Sequence, residues 1–310
     1  MIALNIDLKS STIDKFIDVV AAAIGNLSAP YLLRKMAEAR GQEMFKIAES
    51  IDKTVQIIGD IYEVKYEAEN IQIVPTKKDE LTINPRLQRI ESRLNAVEQE
   101  RQKNIDKITI YGLLETAKIT ETSNEKIDRD WLNQFINVSQ DVSSDQMQEV
   151  WGKILAREIS NPGSFSLRSL EVLRTISRQE AETFRKLVQF VFSVDNCRYI
   201  FLDHTIYNAN GDRWNDYILL REIGLFTSGV FGVNFRSSSN GYLLFKHGNL
   251  AFKITSPKDT EFHLNAYPLS AVGRELAKLV QITPDKDYFD RVKAEVSEKG
   301  GLECMVLKNL

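Results

Sequence analysis

The first regular pattern of apolar positions lies in residues 11–24. The apolar side chains there recur every three or four residues, which predicts an amphipathic helix; they are Ile13, Phe16, Ile17, Val20 and Ile24. Ser11 followed by Asp14 resembles the capping box that starts a helix. The polar face carries Asp14, Lys15 and Asp18 instead of a basic series. A helix packed on the protein is therefore favoured over a helix lying on a membrane surface.

A second helical pattern runs from Pro30 to about residue 70. Proline is favoured in the first turn of a helix, and apolar residues follow Pro30 at helical spacing. Residues 74–85 then combine two prolines with a charged cluster. That composition predicts a loop or hinge before the next helix.

The longest regular pattern begins at Arg86. Its seam positions alternate by three and four residues, as in a coiled coil; they are Leu87, Ile90, Leu94, Val97, Arg101, Asn104, Ile108 and Tyr111. A helix over residues 86–119 would be roughly 50 Å long. It either folds back on the 30–70 helix as an antiparallel hairpin, which we favour, or pairs with a second copy in a coiled coil. We expect the two polar seam residues, Arg101 and Asn104, to set the register at this helix seam.

Three short helices are predicted between residues 143 and 191. Ser143 with Gln146 and Ser177 with Glu180 have the spacing of capping boxes. Ser166 fits the N-cap of the helix between them. Each helix has an apolar stripe, so the three predict a compact bundle.

After Phe192 the pattern changes to β-branched and aromatic residues separated by glycine-containing turns, which is typical of strands. Strands are predicted at 197–202, 226–235, 242–254 and 302–307, and helices at 214–223, 270–282 and 285–299.

These patterns predict a mostly α fold, in which a long-helix hairpin and a helical bundle are followed by an α+β module. The predicted parts are a hairpin region (1–120), a central bundle (121–193), an α+β module (194–283) and a C-terminal helix and strand (284–310).

The composition is that of a globular protein. The 310 residues carry a net charge of −3, which excludes a uniformly basic nucleic-acid-binding coat but not a local basic patch. Two cysteines, Cys197 and Cys304, are too few for a disulfide framework or a cysteine-rich zinc site. No apolar run reaches the about 18 residues of a membrane span, and no signal-peptide pattern is seen. We expect a cytoplasmic protein.

Motifs for enzyme chemistry are weak. The glycine-rich loops that bind ATP or NAD are missing, so no cofactor is expected. The densest set of potential metal ligands comprises Asp203, His204, Asp212 and Asp216. Asp60 with Glu63 and Lys65 resembles the acidic set of a metal-dependent nuclease, but a helix would point Glu63 and Lys65 to different faces. We therefore assign no catalytic residue and favour a protein that is not an enzyme.

One anion-binding site is conceivable at a predicted helix start. Ser164, Ser166 and Arg168 lie where free backbone N–H groups attract negative charge. Helix capping explains the two serines more simply.

The charge distribution of the C-terminal half is uneven. Residues 223–258 contain no Asp or Glu. The candidate contacts to phosphate or to an acidic partner are Arg236, Lys246, Lys253 and Lys258, with Phe231, Phe235, Tyr242, Phe245 and Phe252 interleaved. Basic residues among aromatics are typical of nucleic-acid surfaces, whereas the alternative is a solvated hairpin with core aromatics.

Two segments resemble winged-helix domains. Residues 219–225, Leu-Leu-Arg-Glu-Ile-Gly-Leu, resemble the end of the recognition helix of these domains. Residues 268–276, Pro-Leu-Ser-Ala-Val-Gly-Arg-Glu-Leu, resemble the entry to their last helix. The resemblance implies that the basic strands between the two segments form an enlarged wing, which in such domains contacts DNA or protein.

The central block resembles an uncharacterised bacterial family, a domain of unknown function. The resemblance rests on Trp151-Gly152-Lys153-Ile154-Leu155-Ala156, Glu158 and Pro162-Gly163-Ser164-Phe165-Ser166-Leu167-Arg168. The family supplies no catalytic residues. Its layout is similar to that of bacterial abortive-infection proteins, which implies a role in defence against phage.

The function we favour is a non-enzymatic interaction or sensor protein. Its long helices would make it a homo-oligomer, and its C-terminal module would bind a nucleic-acid or protein partner, with no membrane span. The alternatives are a winged-helix DNA-binding regulator and a metal-dependent nuclease.

Overall fold

The computed structural model describes residues 11–24, 85–195, 197–201, 212–227, 231–236, 242–255, 261–300 and 304–307. The predicted 30–70 helix lies outside them. The chain forms two compact units, Met1–Pro162 and Gly163–Leu310. The boundary between the units falls inside the predicted central bundle, so its first helix belongs to one unit and the next two to the other. The four-part division of the sequence remains a prediction.

The described part of the first unit is helical, as the periodicity predicts. Its helices are α1 (Ser11–Ile24), α2 (Pro85–Thr116), α3 (Arg129–Ser139) and α4 (Asp145–Ser160). The long helix predicted over 86–119 is confirmed as α2. The predicted terminal helix is confirmed as α1, and its apolar positions Ile13, Phe16 and Val20 are buried.

Two glycines allow α2 and α4 to cross closely. A Cβ atom at Gly152 would lie 2.7 Å from the backbone N of Gly112 and 2.8 Å from the backbone O of Ile108. A Cβ atom at Gly112 would lie 2.7 Å from the Phe16 ring of α1. Glycine inside a helix is unfavourable by about 1 kcal/mol, and at this crossing it is the residue that fits.

The helix α1 is fixed to the loop that follows α2. The hydroxyl groups of Thr12 and Thr122 are 2.5 Å apart. The Lys15 ammonium donates to the carbonyl oxygens of Ser123 and Glu125, each at 2.8 Å. Lys15, the basic residue of α1, is therefore bonded within the fold. This agrees with a packed helix and not with the membrane-surface alternative.

Of the three helix starts predicted between residues 143 and 191, two are confirmed. Ser177 and Glu180 form a complete capping box, and the Ser166 hydroxyl accepts from the Ser169 N–H. The predicted Ser143–Gln146 capping box is wrong. Helix α4 starts one residue later, after Ser144, whose side chain makes no capping hydrogen bond. Adjacent serines give the same sequence signal, and helix ends are defined only to within one or two residues.

The second unit combines helices with an antiparallel sheet. Its elements are α5 (Leu167–Thr175), α6 (Arg178–Val188), β1 (Val191–Val194), β2 (Cys197–Phe201), α7 (Asp212–Glu222), β3 (Phe231–Arg236), β4 (Tyr242–His247), β5 (Leu250–Thr255), β6 (Glu261–Pro268), α8 (Ala271–Ala277), α9 (Lys286–Gly300) and β7 (Cys304–Leu307). The sequence patterns missed β1 and β6. The α+β character of this part is confirmed.

The seven strands pair in the order β3-β6-β2-β1-β4-β5-β7, and each described pair is antiparallel. One face of the sheet is buried under α9, which contributes Tyr288, Phe289, Val292 and Val296 to the core. The Tyr288 hydroxyl also donates to the Phe201 carbonyl and accepts from the Phe201 N–H, at 3.1 and 3.0 Å. This hydroxyl satisfies the backbone at the end of β2, which fixes α9 on the sheet.

The two winged-helix-like segments do contact each other. The Ser270 hydroxyl donates to the Gly224 carbonyl at 2.6 Å, and a Cβ atom at Gly273 would clash with the Leu225 carbonyl oxygen. The strands between them do not form a two-stranded wing, because β4 lies between β1 and β5 inside the sheet. The winged-helix expectation is not confirmed. Among the described helices, none is both long and apolar enough to cross a membrane.

Gly152→Ala tests the close helix crossing. The added methyl group must displace the α2 backbone, and such overpacking typically costs 1–3 kcal/mol. That loss opposes the gain of about 1 kcal/mol that alanine brings in an open helix. We expect a net loss of unfolding free energy in urea denaturation. Gln99→Ala, at an exposed position of α2, should change it by less than about 0.5 kcal/mol. A Gly152→Ala protein as stable as the wild type would contradict the close crossing.

Candidate interaction surfaces

The strand alternation of β4 and β5 separates apolar from basic residues. Antiparallel partners share a face, and the inward positions are Leu243, Phe245, His247, Phe252 and Ile254, each at most 3% exposed. The predicted interleaving of basic and aromatic side chains is therefore wrong for Phe245 and Phe252, which belong to the core. The hydrophobic effect places these rings inside, whereas the lysines alternate to the other face.

The outward positions form a basic face that is exposed at Lys246, half-buried at Lys253 and buried at Ala251. Lys246 lies on β4, and Lys253 on β5 pairs with Leu244 of β4 and Met305 of β7. Lys246 is exposed, and Met305 is 62% exposed. The strands β4, β5 and β7 carry no carboxylate. We call the outward side chains of these three strands the open face.

Tyr242 is the aromatic residue that the open face presents. The Lys253 ammonium lies 4.1 Å from the centroid of the Tyr242 ring. This cation–π contact holds the ammonium over the sheet without neutralising its charge. The positive charge of Lys253 therefore remains available to an anion.

The other two predicted basic contacts are not part of the open face. Arg236 is the last residue of β3, and the strand register places it opposite Glu261 of β6. The strand β3 is four strand positions from β4, which is roughly 19 Å. Lys258 lies outside the described residues. The structure thus brings together Lys246 and Lys253 and separates them from Arg236.

Arg101 and Asn104 lie at an intramolecular seam, where α2 meets the turn between α3 and α4. The Arg101 Nε donates to Asp141 at 2.8 Å. The Asn104 amide donates to the Gln140 carbonyl at 2.9 Å and accepts from the Gln148 amide at 2.9 Å. Asn104 is 6% exposed. Its hydrogen bonds join α2 to its own chain at this seam, and its role in setting the register stays a prediction.

The preceding half of the α2 seam is exposed. The seam residues Ile90, Leu94 and Val97 are 39%, 54% and 41% exposed, and residues 89–100 are exposed on all sides of the helix. We call these three side chains the α2 stripe. Large apolar residues aligned on one side of an exposed helix are typical of an interaction surface.

The predicted anion site at the start of α5 is filled by the chain itself. One carboxylate oxygen of Glu275 accepts from the Ser166 N–H at 2.7 Å, from the Ser166 hydroxyl at 3.0 Å and from the Ser169 hydroxyl at 2.5 Å. The helix N-terminus thus binds a carboxylate, and that carboxylate comes from α8. The capping interpretation of Ser166 is confirmed, and no spacing in the sequence pointed to Glu275.

The predicted metal and nuclease residues lie mostly outside the description. Asp60, Glu63, Lys65, Asp203 and His204 are all outside it. Asp212 begins α7, and Asp216 follows one turn later on the same helix. Within the described ranges, no group of three potential metal ligands was found.

His247 is a buried residue that the sequence patterns did not identify. Its Nδ1 donates to the Val191 carbonyl at 3.0 Å, and its Nε2 accepts from the Asp285 N–H at 3.1 Å. The ring stacks on Phe192 with 4.8 Å between centroids. Burial lowers the pKa of His247, although the bond to Val191 and the nearby Asp285 act in the opposite direction. The neutral imidazole therefore links β4 to the start of α9.

Residues 88–293 match a family described as "Protein of unknown function (DUF2806)". Neither the curated proteins nor the solved structures gave a significant match. The match runs from near the start of α2 into the first half of α9, so it includes the intramolecular seam of Asn104 and the strands β4 and β5 of the open face but not β7.

Glu275→Ala tests the contact between α5 and α8. It removes the acceptor of three hydrogen bonds at a helix N-terminus, so we expect a loss of roughly 1–3 kcal/mol of unfolding free energy. In a double-mutant cycle with Ser169→Ala, the two substitutions should couple by at least about 0.5 kcal/mol. Glu182→Ala, which removes a surface ion pair to Arg178, is the matched control and should cost less than about 1 kcal/mol. Additive effects would contradict the contact.

His247→Gln tests the neutral imidazole. A pKa that is lower in the folded than in the unfolded protein means that unfolding takes up a proton. The free energy of unfolding should therefore fall as the pH drops below about 6.5, by at most about 1.4 kcal/mol per pH unit. This part of the pH dependence should vanish in His247→Gln, whose side chain does not titrate. Urea denaturation between pH 7.5 and 5.5 (about one unit on each side of 6.5) measures it. Equal slopes in both proteins would show that His247 does not contribute.

Proposed function

Because the chain belongs to the DUF2806 family of proteins of unknown function, we propose its function from the surfaces that the fold presents. The protein is a non-enzymatic interaction protein that self-associates through the α2 stripe and binds an acidic partner through the open face. A nucleic acid is the partner that the chemistry of this face favours. A role in phage defence remains a prediction from the resemblance in layout.

The open face carries the proposal. Lys246 and Lys253 present two positive charges on one side of the sheet, Tyr242 adds a ring for stacking, and no carboxylate lies on the three strands. Lysine side chains bind phosphate as point charges, and bases of a single strand stack on exposed aromatic rings. The overall charge of −3 makes this face a local exception on an acidic protein, which favours a localised contact.

The recognition helix of the alternative DNA-binding regulator receives less support. Of the two arginines of α7, Arg213 stacks on Phe190 with its guanidinium carbon 4.4 Å from the ring centroid. Asp216 and Glu222 lie on the same helix. These carboxylates offset the attraction of the two arginines for DNA phosphates.

Binding of labelled single-stranded and duplex DNA, measured by fluorescence anisotropy over a salt series, tests the proposal. We expect the affinity to fall log-linearly with salt concentration. In the Lys246→Ala/Lys253→Ala protein the affinity should fall, and for single strands the salt slope should decrease by about 1.4 if each lysine contacts one phosphate.

The matched control is Lys286→Ala/Arg291→Ala. It removes two charges from α9, the helix on the other side of the sheet, and should leave binding unchanged. Equal losses in both double variants would indicate a general charge effect. Absence of binding at low salt would redirect the search to acidic protein partners, and loss of DNA strands with Mg²⁺ would support the nuclease alternative.

A further inference from the structure

We infer that the α2 stripe pairs with the same stripe of a second copy in a short, parallel, in-register coiled coil. The inference rests on the self-association part of the proposed function and adds the partner, its orientation and the end of the interface. In the heptad nomenclature of coiled coils, Leu94 occupies an a position, and Ile90 and Val97 occupy d positions.

The charges beside the stripe determine the orientation. Arg93 occupies a g position, and Glu91 and Glu98 occupy e positions. In a parallel pair, each g residue faces the e residue five positions later in the partner helix. Arg93 then faces Glu98 of the second copy on both sides of the coil. By position in the sequence, Arg86 and Glu91 form an equivalent pair.

An antiparallel pair would oppose like charges. Antiparallel packing brings e positions of one helix beside e positions of the other, so Glu91 and Glu98 would face glutamates of the second copy. Like charges that face each other destabilise such helix pairs by amounts similar to the gain from opposite charges. The charge pattern therefore favours the parallel arrangement.

The contacts of α2 within the chain set the end of the interface. The next two seam positions are Arg101 and Asn104, which bond to Asp141 and to the Gln140 carbonyl of the α3–α4 turn. A partner helix cannot occupy this side of α2 beyond about residue 100. The exposed length from residue 89 to residue 100 is roughly 18 Å, so the coil is short and the dimer is weak and depends on concentration.

Disulfide cross-linking of the full chain tests the arrangement. In a Cys197→Ser/Cys304→Ser background, Leu94→Cys and Val97→Cys should each form a disulfide-linked dimer in a glutathione buffer, because equal a or d positions face each other in a parallel, in-register pair. Gln99→Cys, at an f position on the outside of the coil, is the control and should remain a monomer. Sedimentation velocity over a concentration series measures self-association without the cysteines.

A charge exchange provides an independent measurement. Arg93→Glu should weaken the dimer roughly tenfold, because both interhelical pairs become repulsive. Arg93→Glu/Glu98→Arg should recover part of the lost affinity, since the interhelical pairs are attractive again with reversed sign. Full recovery is not expected, because the exchange also replaces the ion pair of Glu98 with Arg101 of the same chain, 2.9 Å apart, by two like charges. A double variant as weak as Arg93→Glu would contradict the proposed interhelical pairs.

Three other results are distinguishable, and each overturns the inference. Cross-links only in mixtures of Ile90→Cys with Leu94→Cys protein would show an antiparallel pair and overturn the inference. A dimer without any of these cross-links would show that the protein self-associates elsewhere, and it would overturn both the inference and the α2 stripe as the site in the proposed function. A monomer at every concentration would overturn both and favour the intramolecular hairpin with residues 30–70.

Discussion

The close crossing of α2 and α4 at Gly112 and Gly152 is the constraint on which the first unit depends. Because the two backbones come into contact there, the α3–α4 turn lies against α2 at Asn104 and Arg101, about two to three turns before Gly112. The side chain of Asn104 finds its partners, Gln140 and Gln148, in and beside that turn. The buried part of α2 therefore ends near Arg101, and the residues before it are exposed. This packing contact thus determines which residues of α2 are buried and which are exposed.

In the second unit the corresponding constraint is the pairing register of the sheet. Alternation along β4 and β5 sends five large side chains under α9 and leaves the lysines outside. His247 is the polar member of the inward set; burial lowers its pKa and favours the neutral ring, whose two nitrogens bond to the backbone at Val191 and Asp285. The N-terminus of α5 is likewise satisfied within the unit, because the Glu275 carboxylate accepts from the Ser166 N–H. His247 and Glu275 are thus paired locally, while the lysines of the open face keep their charge.

Periodicity predicted the helices well and the strand pairing poorly. The positions of α1, α2, α8 and α9 could be predicted because apolar spacing, N-cap serines and prolines are local signals. The strands β1 and β6 were missed because they are short or flanked by helix-like segments, and their identity depends on partners distant in sequence. The seam of Leu87 to Tyr111 was recognised as continuous, but its division into an exposed and a buried half depends on the α3–α4 turn.

Neither Glu275 nor His247 had a local signal, since a capping carboxylate and a buried imidazole are recognised only by what surrounds them. The grouping of Lys246 with Lys253, and the separation of Arg236 from both, likewise follows from strand order.

The hairpin between β4 and β5 has two turn residues, Gly248 and Asn249, and Gly248 has a positive φ of 57°. Such a tight turn leaves the register no freedom. A single-residue insertion or deletion in β4 would exchange the two faces of that strand: the lysine would face α9, and His247 would face water. A single-residue change of length in this hairpin should therefore destabilise the fold more than a two-residue change, which keeps each side chain on its face. The spacing of the lysines in the sequence is therefore required by the packing of the core and is not only a property of the surface.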